Sequence, residues 1–169
     1  MKYGSVTLGQ IEAIITKLGG EDGALRFLRN DPYFIDGDAA AEASRGRTVH
    51  EHKKIGPFLW DVSRIILWQH PIQQRSGPKP WTAPQDLYRA TRGRRVLNAN
   101  VLDYLLKNPS LIPKEWKDIG VVFWGTLYRS DENRLEARML VNDDGVWKSH
   151  YSEIAAAWLD LPRIYSAEY

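Results

Sequence analysis

The sequence contains no cysteine, which excludes disulfides, thiolate catalysis and every cysteine-based zinc or iron–sulfur site together. No run approaches the ~18 apolar residues of a membrane span. The opening MKYGSVTLGQIEAIITKLGG breaks its apolar positions with glycines and a glutamate, where a signal peptide needs continuity. The expectation is a soluble, cytoplasmic protein with no membrane partner. A charge excess is also missing: 23 basic and 21 acidic residues leave +2, so electrostatic binding of nucleic acid or anionic lipid has to be local. No Gly-x-Ser-x-Gly elbow occurs, and LGGEDGALR has three glycines without a P-loop lysine or a preceding strand. Without such signatures the chain leans away from catalysis, and no cofactor is expected.

What is present suits one compact unit. A chain of 169 residues, 43% hydrophobic and 26% charged, is long enough to bury a core without staples. Seven tryptophans and eight tyrosines stand out, because large amphipathic rings serve both cores and binding surfaces.

Thr7 and Gln10 have capping-box spacing at the head of a helix over 7–18, with Leu8, Ile11, Ile15 and Leu18 on one stripe. A second short helix is predicted over 22–29, ending before Pro32. The stretch 33–54 reads as a flexible connection with a short strand at either end, and PFLWDVSRIILWQHP between Pro57 and Pro71 fits a helix or a buried strand, with Pro57 near a helix start favouring the helix. The proline-rich QQRSGPKPWTAP separates an N-terminal helical portion, 1–75, from a C-terminal portion, 76–169. That second portion begins with helices over 82–92 and 101–107, the latter capped by Asn100. From Ile119 the period changes to two, giving strands around Val121–Tyr128, Leu135–Val141 and Val146–Tyr151, with Asp144-Gly145 as a hairpin turn. Ser152–Leu161 reads as a final helix. The expected fold is α+β: an N-terminal helical hairpin and a C-terminal three-stranded antiparallel sheet flanked by helices.

The block LNANVLDYLLKNPSLIPKEWK followed by VVFWGTLYR resembles the C-terminal region of a family of small uncharacterised bacterial proteins. LGQIEAIITKLGGEDGALRFLR is similar to an N-terminal module recurring among such proteins. The resemblance transfers no site residues. It implies the setting of a regulator or inhibitor from a phage or mobile element.

Several constellations could carry function. His50 and His52 would point the same way on a strand, as two metal ligands must, and a metal-dependent hydrolase or nuclease would need a third ligand such as His70, His150 or a carboxylate. Asp36, Asp38 and Glu42 could hold magnesium, although Asp-Gly-Asp is also an ordinary turn. Arg89, Arg92, Arg94 and Arg95 could neutralise phosphates, with Tyr88, Trp81 or Trp116 stacking on bases; equally, they are cations at a helix C-terminus, pairing with Asp86 or Asp103. Strict alternation would put Trp124, Thr126 and Tyr128 on one face of their strand, and Trp147, Ser149 and Tyr151 on one face of another. With Arg129, Arg138 and Glu136 at the edge, that face would be either an aromatic protein-binding surface or the core. The leading expectation is a non-catalytic protein-binding regulator or inhibitor, with nucleic-acid binding and metal-dependent hydrolysis as alternatives.

Overall fold

The computed structural model describes residues 7–28, 34–69, 84–154 and 163–169. Its organising element is the strand β5, Ile119–Ser130, in which every residue from Gly120 to Tyr128 is buried. A strand covered on both faces has to be apolar at successive positions, and the run VVFWGTLY meets that demand. Along one edge β5 pairs antiparallel with β6, Leu135–Asp143. Its other edge is divided between two strands. The N-terminal half pairs in parallel with β8, Arg163–Glu168, and the C-terminal half antiparallel with β2, Arg47–His52.

The sheet continues outward in the order β4-β8-β5-β6-β7, where β4 is Ile66–Trp68 and β7 is Val146–Glu153. The β6–β7 hairpin closes at Asp144 (φ 50°) and Gly145 (φ 87°), left-handed at both turn positions as a tight hairpin requires. A separate two-stranded ribbon joins β1, Phe34–Asp36, to β3, Pro57–Leu59.

Four helices accompany the strands among the described residues: α1 Leu8–Lys17, α2 Glu21–Leu28, α3 Pro84–Ala90 and α4 Ala99–Lys107. One core layer packs Leu97, Val101, Leu102 and Leu105 with Val121, Phe123 and Leu140, and is closed by Trp60 and Trp116. The opposite layer packs Leu87 and Val96 with Val122, Trp124, Leu127 and Met139. Among the described residues no helix is long and apolar enough to cross a membrane.

The architecture is mixed α+β, but the expected three-stranded sheet with an N-terminal helical hairpin is overturned by a six-stranded sheet to which the N-terminal part contributes β2 and β4. The segment 57–69 forms β3, a 3-10 turn at Val62–Arg64 and β4 rather than a helix, so its dense Ile, Leu and Trp content decides over proline spacing. RTVHEH and RIYSAE are short and half polar, and they become strands because the long central strand offers them an edge.

Ser152 and Glu153 of the expected final helix belong to β7 instead and Ile154 to the turn after it; residues 155–161, residues 73–83 of the proline-rich crossing, Trp81 among them, and His70 lie outside the described residues. In α1 the capping box forms, Thr7 Oγ1 accepting from Gln10 N–H and Gln10 Oε1 from Thr7 N–H. The stripe above it stays largely out of the core: Leu8 and Ile11 are exposed, and Leu18 alone of the four is buried. Asn98, not Asn100, stands at the N-cap of α4; Asn100 ties the helix to the preceding loop by donating to the Asp36 and Ala39 carbonyls.

Candidate functional site

The site begins with a slip in the central strand. Phe123 pairs with Arg138, yet the next paired residue, Leu127, faces Ala137, so Trp124-Gly125-Thr126 have no counterparts on β6. The bulge is pinned from outside the sheet: Gly125 N–H donates to the Leu97 carbonyl (2.9 Å) and its carbonyl accepts from Lys53 N–H (2.7 Å). A β-carbon at Gly125 would lie 2.8 Å from the Leu97 oxygen and 2.9 Å from Asn98 Cα, so only glycine permits this approach.

The bulge reverses the alternation of faces. Trp124 joins the α3-side core, its indole N–H donating to Ser166 Oγ (2.9 Å), whereas Thr126 and Tyr128 face the α4 side. The expected shared face of Trp124 and Tyr128 is therefore corrected. Both side chains are buried, so neither is an exposed anchor.

Where the bulge meets the end of β2, a polar cluster forms. Thr126 Oγ1 accepts from Ala99 N–H (2.9 Å) and lies 2.8 Å from His52 Nδ1. Having accepted one proton, the hydroxyl keeps its own to give to the ring, which suits a neutral imidazole. Burial lowers the His52 pKa, against an opposing pull from the Ala39 and Gly37 backbone and Asp38. The fully buried Asn98 side chain donates to the Gly37 and Lys53 carbonyls (2.8 and 3.0 Å), and its Oδ1 has no hydrogen-bond partner.

His50 sits at a register shift in β2 and is exposed, while His52 turns to Thr126, so the expected pairing of the two rings is lost. No group of three potential metal ligands occurs among the described residues. Asp36 accepts from the N–H groups of Asp38 and Ala39, and Asp38 from that of Gly56, which is turn chemistry.

Beyond the bulge lies the most elaborate cluster. The Arg138 guanidinium, on a residue 8% exposed, is held by Asp103 Oδ1 of α4 (2.6 Å) and Ser149 Oγ of β7 (2.9 Å); its Nε makes no hydrogen bond. Tyr128 stands beside it. Burial pushes the Tyr128 phenol up to about 12, although Arg138 pulls the other way. Tyr151 meets Tyr128 edge-on (4.9 Å) and carries the Arg47 guanidinium over its ring (4.2 Å). Arg47 in turn grips Glu136 through two nitrogens, at 2.6 and 3.2 Å.

This cluster forms one wall of an open cleft of about 700 Å³. Arg138, Ser149 and Tyr151 line the sheet side, Asn100, Asp103, Tyr104 and Lys107 the α4 side, and residues 34–44 the rim. Of the six residues expected on a protein-binding surface, the structure brings Arg138 and Tyr151 into the cleft with Tyr128 buried behind them. Trp147 packs on the core nearby, Trp124 lies across the sheet, and Arg129 binds Asn133 at the strand's far end.

The arginine cluster is largely committed to internal contacts. Arg89 pairs with Asp86; Arg94 pairs with Glu168 and stacks on Trp68; Arg92 lies over Tyr88 and Arg95 over Tyr169. Four arginines that turn to four different partners do not form a common phosphate grip.

Asp103, Ser149, Asn98 and Thr126 were not legible as site residues, because each acquires its role from a residue far away in the chain. Gly125 inside an apolar strand was the one available signal of a bulge. No family model, curated protein or solved structure matches the chain.

Proposed function

We propose that the chain is a non-catalytic binding protein, a regulator or inhibitor, that takes a segment of a protein partner into the cleft between α4 and the β6–β7 face. The observation that carries this reading is Arg138. Its guanidinium is anchored by Asp103 and Ser149 at the wall of an open groove. An oriented arginine beside Tyr151 is the kind of residue pairing enriched in binding hot spots, and the polar wall around it suits a polar segment of an inserted chain.

The wall mixes Asp36, Glu42 and Asp103 with Lys107 and Arg138, so it favours a polar peptide of mixed charge over a polyanion. Placing a photo-crosslinking residue at Ala40 or Ala43 on the rim should give a discrete protein adduct that Val146, at the hairpin tip, does not give. Ala43→Trp, which fills the groove, should then weaken the partner's affinity at least tenfold. Unchanged affinity in Ala43→Trp would remove the cleft from the interface.

A further inference from the structure

A second cleft, about 680 Å³, lies between the C-terminal end of α1, the segment Lys54–Leu59 and Tyr169. Its size is that of small-molecule sites. Lys17, Lys54, Arg64 and Arg95 supply its charge, and among the described residues Asp38 is the one acidic side chain in the wall. All four cations are exposed, and none makes an ion pair among the described residues.

Elsewhere the protein pairs the arginines that it uses structurally: Arg47 with Glu136, Arg94 with Glu168 and Arg138 with Asp103. Among the described side chains the second cleft therefore holds an excess of three positive charges, four cations against Asp38, in a chain whose net charge is +2. A concave wall of one sign focuses its field on whatever enters. The floor is apolar and aromatic, with Phe58 edge-on to Tyr169 at 5.3 Å and the Arg95 guanidinium 4.5 Å above the Tyr169 ring.

We propose that this cleft binds a small molecule bearing two or more phosphates, with Lys17, Lys54, Arg64 and Arg95 holding the phosphates and the Phe58–Tyr169 floor taking the remainder. This site is separate from the peptide groove and would stand if that groove proved empty.

The test is calorimetric titration of the full chain with inorganic pyrophosphate and with ATP, both without metal. One saturable site is expected, weakening as salt rises. Lys54→Ala combined with Arg64→Ala should weaken it about tenfold or more, and Lys107→Ala in the first cleft should leave it unchanged. Both variants change exposed side chains, and each is checked for folding by its unfolding midpoint. Absence of binding at ~5 mM pyrophosphate and ATP, or equal weakening by Lys107→Ala, would overturn the proposal. So would tighter binding of a glutamate hexapeptide, which would make the cleft a docking surface for acidic protein segments. Binding to phosphoinositide vesicles without binding to the soluble phosphates would overturn it in favour of a lipid headgroup.

Discussion

Replacing Gly125 by alanine tests whether the bulge is the device that builds the site. The added β-carbon would meet the Leu97 oxygen at 2.8 Å and Asn98 Cα and Cβ at 2.9 Å, where ordinary contact begins near 3.4 Å. These atoms belong to the backbone or sit directly on it, so relief requires β5 to move away from residues 97 and 98 by about half an ångström. That movement stretches the 2.9 Å bond from Gly125 N–H to Leu97 and disturbs the 2.7 Å bond from Lys53. Overpacking of this kind costs about 1–3 kcal/mol and a weakened buried hydrogen bond about 1 kcal/mol, so the loss should be about 2–4 kcal/mol. In a chain of this length that is a fall in Tm of roughly 5–15 °C. Urea unfolding followed by tryptophan fluorescence measures it. Gly9→Ala is the control: Gly9 lies in α1 with nothing within 4 Å of its missing β-carbon, so alanine there should be neutral or stabilising by up to ~1 kcal/mol. Gly125→Ala within ~0.5 kcal/mol of wild type would refute the steric account of the bulge.

Other consequences follow from the same geometry. Asp103→Ala strips the buried Arg138 guanidinium of its carboxylate and should cost about 2–3 kcal/mol in urea unfolding, discounted from a fully buried pair because the Asp103 side chain is 33% exposed. Burial holds the His52 pKa below its ordinary 6.5, so the unfolded chain takes up the proton first as pH falls and stability declines below about 6.5. The gap between urea midpoints at about pH 7.5 and pH 5 should narrow in His52→Gln. Tyr128, pushed up to about 12, should contribute a late step to an alkaline absorbance titration, and that step should vanish in Tyr128→Phe. Arg94→Ala should lower stability by about 1 kcal/mol through loss of Glu168 and Trp68, while leaving any affinity for nucleic acid unchanged.

Local chemistry was readable wherever neighbours in sequence are neighbours in space. The Thr7–Gln10 box and the Asp144-Gly145 turn depend on residues at most three apart, and the structure shows both. The segments at 57–69 and 163–168 were misread or missed, since a short apolar stretch becomes strand or helix according to the edge or surface available to it. The site was half legible. Arg138 and Tyr151, both expected on the aromatic and arginine-bearing surface, lie opposite each other across β6 and β7. Trp124 and Tyr128 do not share a face, because alternation fails across three unpaired residues, and those are unpaired only because Leu97 and Lys53 bind Gly125.

The sequence by itself determined that cysteine chemistry is absent and that the signatures of a phosphate loop and a nucleophile elbow are missing. It also determined that a strand runs through Val121–Tyr128, since the period of two repeats there, while leaving open whether its aromatic face is surface or core. Only the tertiary structure decided which side each ring faces, that Arg138 is joined to Asp103 and Ser149, and that Lys17, Lys54, Arg64 and Arg95 share one cleft with Asp38. Face and charge pairing depend on register between strands and on contacts spanning tens of residues, and a one-residue change of parity reverses every assignment beyond it.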